Sequence, residues 1–332
     1  MPSLSPAIAE IRLAVRFALA DLPDGATVIV ALSGGADSLA LTAATVFEAR
    51  ARSIRVLSLT VDHGMQEGSA HVAASAAVAA EGLGVVDARQ TRVDVDRASS
   101  AGEEAAARDA RYAALRSVAL AEKAVAVLLG HTLDDQAETV LLGLARGSGA
   151  ASLQGMSPDR EDADGLRWIR PLLGVRRETT LAFCAASDLA PWTDPHNSEP
   201  RFARVRVRER VLPVMETDLG PGIAEALART AEQLREDAEA FDEMIHETIE
   251  DIVEHAEAGI SVSVAALAAN PAALRNRIIR LVVDSEFGVS LTRTQTLEVA
   301  RLAVDWSGQG PIDLPGCSAA RRGGQIVFAA RD

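Results

Sequence analysis

Short apolar runs alternate with longer segments rich in alanine and leucine between residue 27 and about residue 193. The run from Thr27 to Leu32, TVIVAL, is apolar and rich in β-branched residues, as is typical of a strand buried in a parallel sheet. The predicted strands are 27–32, 55–63, 87–93 and 124–131, and the predicted helices are 38–50, 71–84, 103–124 and 134–147. This alternation predicts an α/β fold built on a doubly wound parallel sheet.

The pattern changes after about residue 215, where helical periodicity replaces the alternation. Helices are predicted at 222–257, 273–287 and 291–304, followed by a small hairpin with a Gly-Gly turn in 310–330. The first of these helices is acidic and amphipathic, with Leu227, Leu234 and Phe241 on one face. We therefore predict two domains, 1–215 and a smaller, mainly helical one at 216–332.

Composition limits the compartment and the cofactor chemistry. No run of 18 apolar residues occurs, and the N-terminal segment lacks the charged start and apolar middle of a signal peptide. Cys184 and Cys317 lie far apart and form no CxxC pair, which argues against a zinc or iron–sulfur site and fits a reducing environment. We expect a cytoplasmic protein without a membrane span.

Net charge is −14, which is unusual for a protein that binds nucleic acid. Any attraction to phosphates would have to be local. The candidate segment is RFARVRVRER, which carries Arg201, Arg204, Arg206, Arg208 and Arg210. In a helix, the second and fourth of these arginines share a face, as do the third and fifth. They either contact RNA phosphates or pair with the acidic helix at 232–254 and join the domains.

The stretch ALSGGADSLAL, residues 31–41, joins the first predicted strand to the first predicted helix. Glycines permit a tight turn, and the N–H groups at a helix start attract an anion. Ser33 and Ser38 add hydroxyl groups, and Asp37 suits a phosphate site if Mg²⁺ lies between the two. The GxxxxGK(S/T) phosphate loop is absent, and Lys123 is the only lysine. SGGxDS instead resembles the pyrophosphate loop of the ATP pyrophosphatases; the alternative is a plain Gly-Gly turn capped by serine.

Polar clusters also follow two other predicted strands, at Asp62–His63 and His131–Asp135. The carboxyl ends of parallel strands meet at one sheet edge, where ligands bind. Asp134 and Asp135 either cap a helix or, with Glu138 one turn on, hold Mg²⁺ opposite the phosphate loop.

Arg108 and Arg111 share a helix with Glu104 and Tyr112. The arginines either form a surface ion pair or stabilise charge on a phosphoryl group. The residues alone favour a loop histidine for His63 over a functional one. Trp192 and Asn197 either belong to the core and a turn or hold a flipped-out base.

In order and spacing, these pieces resemble the tRNA(Ile)-lysidine synthetase family over most of residues 25–215. The matching motifs are SGGADS (33–38), VDHGM (61–65), ExxARxxRY (104–112), HTLDDQAET (131–139), LARGSGAASLQGM (144–156), RPLL (170–173), WxDxxN (192–197) and RVLP (210–213). The chain departs from the family pattern at Thr132, where a second histidine is common, at Met65–Gln66, where Leu-Arg is common, and at Val205, where Asn is common.

The resemblance implies an adenine nucleotide alpha hydrolase-like, Rossmann-like catalytic domain that uses ATP. The family adenylates the 2-oxygen of the wobble cytidine in the CAU-anticodon isoleucine tRNA, and free lysine then displaces AMP, so that AUA is read instead of AUG. It implies that Arg108 or Arg111 acts near the α phosphate, that Asp37 and Asp135 hold Mg²⁺, and that Asp134 or Glu138 meets the lysine ammonium. ATP binding would fall to Ser33, Gly34, Gly35, Ala36, Asp37 and Ser38, and further substrate contacts to His63, His131, Trp192 and Asn197. The oligomeric state stays open, with a homodimer as one alternative.

Three rival functions agree less well with the rest of the sequence. A cytidine tRNA thiolase of the same superfamily uses paired cysteines, which this chain lacks. NAD and GMP synthetases share the loop but not the motif at 131–156. A nucleotide-sensing protein that is not an enzyme would need neither the acidic cluster nor the arginine-rich segment.

Overall fold

The computed structural model describes residues 5–64, 68–95, 102–147, 149–193, 199–256 and 259–331. It divides into two compact units, Met1–Leu234 and Arg235–Asp332. The first unit extends beyond residue 216 because Ala224, Leu227 and Ala228 pack with Leu133 and Ala137. The boundary near 216 stays a prediction. Among the described residues, no helix is long and apolar enough to cross a membrane.

The first unit contains a six-stranded sheet in the order β3-β2-β1-β4-β6-β5. Its strands are β1 (Thr27–Ala31), β2 (Arg55–Asp62), β3 (Asp87–Arg92), β4 (Ala126–Leu128), β5 (Asp159–Glu161) and β6 (Arg167–Ile169). All neighbouring pairs are parallel except β5 with β6. The predicted doubly wound parallel sheet is confirmed. The last two strands were not predicted, because DRE and RWI form neither an apolar run nor a readable alternation.

The helices up to residue 252 are α1 (Pro6–Leu19), α2 (Ala36–Ala49), α3 (Ser69–Leu83), α4 (Glu103–Ala121), α5 (Leu133–Ala145), α6 (Ala150–Leu153), α7 (Arg177–Ala186), α8 (Ala203–Arg206), α9 (Leu212–Asp218) and α10 (Ile223–Ile252). Of these, α1, α2, α3 and α7 pack with one face of the sheet and α4 packs with the other, so that both faces are covered. Successive residues of β1 show the two-sided burial: Val28 and Val30 pack toward α1, α2, α3 and α7, whereas Ile29 packs toward α4. Because both faces are covered, the strand is apolar from Val28 to Ala31.

The second unit combines helices with an antiparallel sheet of order β7-β8-β11-β10-β9. Its elements after α10 are β7 (Val253–Ala256), β8 (Gly259–Ser263), α11 (Val264–Ala269), α12 (Ala272–Phe287), α13 (Arg293–Val304), β9 (Ile312–Leu314), β10 (Cys317–Arg322) and β11 (Gln325–Ala330). The predicted hairpin is β10–β11, in which Arg322 pairs with Gln325 across the Gly-Gly turn. The predicted extension of the long helix to residue 257 is wrong, since Val253 already pairs with Val262 of β8.

Candidate active site

The loop between β1 and α2 is closed by its own hydroxyl groups. The Ser38 hydroxyl donates to the Gly35 carbonyl at 3.0 Å and lies 3.1 Å from the Ser33 hydroxyl. The Ser33 amide donates to the Ser38 Oγ at 3.2 Å. Gly34 has φ +84°, a backbone conformation that favours glycine. The first amide groups of α2 lack helical partners and therefore form a site for an anion.

Two neighbouring segments hold this loop in place. The Trp192 amide donates to the Gly34 carbonyl at 3.0 Å. Gly130, directly after β4, comes so close that an added Cβ would lie 3.2 Å from the Ser38 nitrogen. Gly130 was not predicted, although a glycine at the carboxyl end of a buried strand was a readable signal. Trp192 was predicted to bind a base, and its side chain is 36% exposed.

Asp37 points from the first turn of α2 toward α7. Thr180 donates its hydroxyl to one carboxylate oxygen, and the Arg177 Nε lies 3.5 Å from the other. Burial raises the pKa of Asp37, against the opposing effects of the Thr180 hydrogen bond and the Arg177 charge. Side chains of α7 therefore hold the carboxylate of the loop in position.

Asp135 takes part in the cap of α5 and also forms an ion pair, whereas its role toward Mg²⁺ stays a prediction. The Thr132 amide and hydroxyl donate to its Oδ2 at 2.8 and 2.9 Å, so that the pair forms a capping box at the start of α5. Its Oδ1 faces Arg177 at 2.6 Å. Burial alone would raise the pKa of Asp135, but the Arg177 charge and the Thr132 amide lower it below its usual value. Thr132, which departs from the family pattern, thus supplies the cap.

Arg177 is the centre of the acidic cluster, which comprises Asp37, Asp135 and Glu138. Besides its contacts with the two aspartates, its Nη1 lies 3.4 Å from the Glu138 Oε1. Glu138 has no exposed side-chain surface. The Arg177 amide also donates a hydrogen bond to the Asp134 Oδ2 at 2.7 Å. Burial opposes the charge on Arg177, but the surrounding carboxylates raise its pKa. Arg177 was not predicted, since its partners lie far away in sequence.

Two residues of the arginine run face the same cluster. The Arg208 Nε and Nη2 donate to the two Glu138 oxygens at 2.6 and 3.0 Å. Arg204 lies farther off, with its Nη1 3.9 Å from Asp135 and 3.8 Å from Glu138. They lie on α8 and on the π-helical turn at Val207–Val211 that follows it. Their described carboxylate partners are thus on α5.

The other arginines of the run stay at the surface. Arg206 donates to the carbonyls of Pro200 and Arg201 at 2.8 Å. Arg201 pairs with Glu199 at 2.5 Å, and Arg210 is exposed. The segment therefore divides into a face directed at the acidic cluster and a face directed at solvent.

A second group of arginines surrounds His131 and Tyr112. Arg108 donates to the Tyr112 hydroxyl at 3.2 Å, and the buried Arg170 reaches the same oxygen at 3.4 Å. Among the described residues, no carboxylate forms an ion pair with Arg111; burial lowers its pKa, and the charge of Arg108 lowers it further. This arginine group is therefore a concentration of positive charge that is not neutralised, within a chain of net charge −14.

The two predicted histidines lie beside this arginine group. Burial lowers the pKa of His131, and the nearby arginines add to that effect although Asp135 opposes it. Burial and the Arg111 charge likewise lower the pKa of His63. Each Nδ1 is buried without a hydrogen-bond partner among the described residues. Both rings are therefore neutral at neutral pH. Asn197, the remaining predicted substrate contact, lies outside the described residues.

The segment 144–156 is fixed against α5 by one side chain. Gln136 donates to the Met156 carbonyl at 3.0 Å and accepts the Met156 amide at 2.7 Å. Gly143 allows the segment to approach, because an added Cβ would lie 2.6 Å from the Ser152 carbonyl oxygen. The two sequence motifs specific to the predicted family thus form one packed unit.

The carboxylates of the acidic cluster could contribute ligands to a metal ion. Within the part of the chain that the structure describes, no group of three or more His, Cys, Asp or Glu side chains is arranged to hold a metal ion. Asp37 and Asp135 do converge, each directing one oxygen at Arg177. Mg²⁺ in nucleotide sites commonly takes only one or two carboxylates, with phosphate oxygens and waters as the other ligands. This donor set therefore fits an ion that arrives with the nucleotide.

Comparison with known proteins agrees with this geometry. A family model described as a PP-loop domain matches residues 10–215, and one described as a TilS substrate binding domain matches residues 263–327. The solved U34-tRNA thiolase of Methanococcus maripaludis is 20% identical with a TM-score of 0.59, covering 69% of this chain and 80% of that one. This likeness shows the fold alone. Fold and loop together define a PP-loop ATP-binding enzyme.

Relatives over nearly the full length make the assignment narrower. The tRNA(Ile)-lysidine synthase of Leifsonia xyli is 57% identical over 92% of this chain and 91% of its own length. Those of Thermobifida fusca and Rhodococcus erythropolis are 46% and 47% identical, over 98% and 99% of this chain and 98% and 97% of their own lengths. The chain belongs to the tRNA(Ile)-lysidine synthase family.

Proposed function

We propose that the described residues carry out ATP-dependent lysidine formation on tRNA(Ile) at one site, which the phosphate loop and the acidic cluster form together. The observation that supports this is the position of Arg177. It contacts Asp37 of the loop and also Asp135 and Glu138 of α5. A nucleotide on the loop and an amine at the carboxylates would therefore be neighbours.

ATP binding falls to the loop. The amides and hydroxyls of Ser33, Gly34, Gly35, Ala36 and Ser38 would hold the β and γ phosphates, the future pyrophosphate, against the start of α2. Asp37 and Asp135 would hold Mg²⁺ through the oxygen that each directs at Arg177. When bound, that ion neutralises phosphate charge and orients the phosphates.

In the first step, the 2-oxygen of the wobble cytidine attacks the α phosphorus, and pyrophosphate leaves. Negative charge develops on the phosphoryl oxygens. Arg108 and Arg111 supply fixed positive charge there, and the second has no competing carboxylate among the described residues. Neutral His63 and His131 would contact the substrate beside them without adding repulsion. The solvent-exposed Trp192 and, outside the described residues, Asn197 are assigned to the cytidine.

In the second step, the ε-amine of free lysine attacks C2 as the free base, AMP leaves, and one proton is released. The other end of lysine carries an ammonium and a carboxylate. Of the two predicted carboxylates, the partly exposed Asp134 suits the ammonium, because Glu138 is buried and held by Arg208. The adjacent guanidinium of Arg208 suits the carboxylate. Alternating fixed charges of this kind favour an amino acid over a simple diamine.

The tRNA itself would meet the exposed arginines. Arg201, Arg206 and Arg210 face solvent on the segment that also lines the site. We assign them to phosphates of the CAU-anticodon isoleucine tRNA. The other two substrates of the reaction, ATP and free lysine, are present in the cytoplasm, where we expect the protein to act.

Nucleoside mass spectrometry tests the proposal. The tRNA is incubated with the protein, Mg²⁺-ATP and lysine, digested and searched for lysidine, while AMP and pyrophosphate are measured in the same sample. Cadaverine, which lacks the carboxylate, should react poorly in place of lysine. Release of ADP instead of AMP, or equal use of cadaverine and lysine, would contradict the assigned chemistry.

A further inference from the structure

An open cleft of about 260 Å³ lies beside the acidic cluster, on the side of Arg204. Its walls come from α5, α6, α8 and the segment after α5. The residues that line it are Thr139, Leu142, Gly143, Arg146, Ser152 and Arg204. Two guanidinium groups and two hydroxyl groups thus line one cleft, and none of the described residues that line it is acidic.

Neither arginine of this cleft forms a close ion pair with a described residue. Arg146 follows the last turn of α5, is exposed, and forms no ion pair with any described residue. Arg204 donates its Nη2 to the Thr139 hydroxyl at 3.2 Å, while its nearest carboxylate oxygen is 3.8 Å away. Glu138 is already engaged by Arg208 at 2.6 Å. The cleft is therefore suited to an anion with several oxygens that can accept hydrogen bonds.

We infer that this cleft binds one backbone phosphate of the tRNA, next to the nucleotide that reacts; the choice of tRNA rests on the proposed function. Arg204 is the reason for this placement, because it contacts both the cleft and Asp135. Only the Arg204 side chain would then separate the phosphate from the acidic cluster. ATP is the other source of phosphate, but its phosphates are assigned to the loop at 33–38, which meets Asp135 through Arg177 and not through Arg204.

The cleft also gives the segment 144–156 a purpose. Gly143 has no room for a side chain, since Ser152 packs directly on it. Gly147 and Gly149 have φ of +65° and +77°, backbone conformations that favour glycine. The Gln136–Met156 pair holds Met156 against α5. Arg146 and Ser152 thus both line the cleft.

Salt-dependent tRNA binding by the full chain tests the inference. Arg146→Gln should weaken binding about tenfold and reduce the slope of log K against log salt by about 0.7, the value for one single-strand phosphate. Arg146→Lys should keep most of the slope. Arg50→Gln, an equal loss of charge at the opposite end of α2 from the loop, should change neither quantity. ATP affinity should be the same in all three variants.

Methylphosphonate substitution identifies the phosphate. An anticodon stem-loop RNA is made with each loop phosphate neutralised in turn. One substitution should weaken binding to the unmodified chain, and Arg146→Gln should then cause no further loss with that RNA. Ser152→Asp, which adds a carboxylate to the wall, should weaken binding more than Arg146→Gln does.

Two results would overturn the inference: binding by Arg146→Gln that equals Arg50→Gln, or a loss of ATP affinity in its place. The proposed function fails separately. If the unmodified chain forms no lysidine yet Arg146→Gln weakens RNA binding, the cleft stands and the reaction does not. If lysidine forms normally and KM for tRNA is unchanged in Arg146→Gln, only the cleft fails.

Discussion

Replacing Arg177 with glutamine removes the cation that joins the phosphate loop to the acidic cluster. Opposite unit charges 4 Å apart interact by about 4 kcal/mol at an effective dielectric constant of about 20. Breaking a buried pair typically costs about 3–5 kcal/mol. Arg204 and Arg208 still face Asp135 and Glu138, and the Arg177 side chain is 23% exposed. We therefore expect a loss of about 2–3 kcal/mol, or about 5–10 °C in Tm for a unit of this size.

The loss should depend on pH in a defined direction. Asp135 has a depressed pKa, so it contributes stability above its unfolded pKa of about 3.8, and that contribution is lost as the pH falls. Without Arg177, the pKa values of Asp37 and Asp135 rise, and the variant takes up protons at a higher pH than the unmodified chain. The gap in stability should therefore be full at neutral pH and narrow as the pH falls through the range in which the variant's carboxylates take up protons.

Urea unfolding followed by tryptophan fluorescence measures the gap, because Trp168 is buried in the first unit. EDTA is present so that no divalent cation replaces the guanidinium. Arg176→Gln is the matched control, since Arg176 makes longer contacts of 3.5 and 3.6 Å with Asp134 and Glu225 and should cost less than about 1 kcal/mol. Equal losses in the two variants, or a gap that does not change with pH, would refute the reasoning.

Three further changes probe the loop and its supports. Asp37→Asn should lower AMP formation by about two orders of magnitude or more while tRNA still binds; ordinary turnover would exclude a role for the carboxylate. Gly130→Ala should cost about 1–3 kcal/mol and weaken ATP binding, because its Cβ meets the loop backbone, whereas Gly174→Ala, with nothing within 4 Å, should do neither. Gln136→Leu should leave the Met156 amide and carbonyl unpaired and cost about 2–3 kcal/mol by urea unfolding; a smaller loss would mean that water replaces the amide.

The parts of the fold that could be predicted are those governed by local pattern. The corner from β1 to α2 was evident because apolar runs flank the glycines, and α5 was evident from its capping residues. The strands β5 and β6 were missed because their sequences, DRE and RWI, contain charged residues and no apolar run, unlike β4, which is equally short. The early end of α10 was missed because strand pairing with β8 overrides the helical pattern there.

The site was predictable only as separate motifs. The sequence indicated which carboxylates follow the strands, but not that Arg177 would lie 3.5 Å from Asp37, a residue 140 positions away. It indicated that Arg204 and Arg208 share a helix face, but it did not identify Asp135 and Glu138 as the anions they face. Such pairings depend on the packing of α7 and α8 beside α5, which no local spacing encodes.

The fixed cations described around the site are all arginines, and this has a consequence for the selectivity of the reaction. An adenylated cytidine reacts with any free amine within reach. A guanidinium stays protonated and has no nucleophilic lone pair, whereas a lysine side chain could attack in place of the substrate. Lys123, the only lysine of the chain, lies between α4 and β4. It therefore precedes a parallel strand, whereas the phosphate loop follows one, so the two lie at opposite ends of the strands. In the proposed reaction, the protein therefore supplies positive charge without supplying a competitor for its own intermediate.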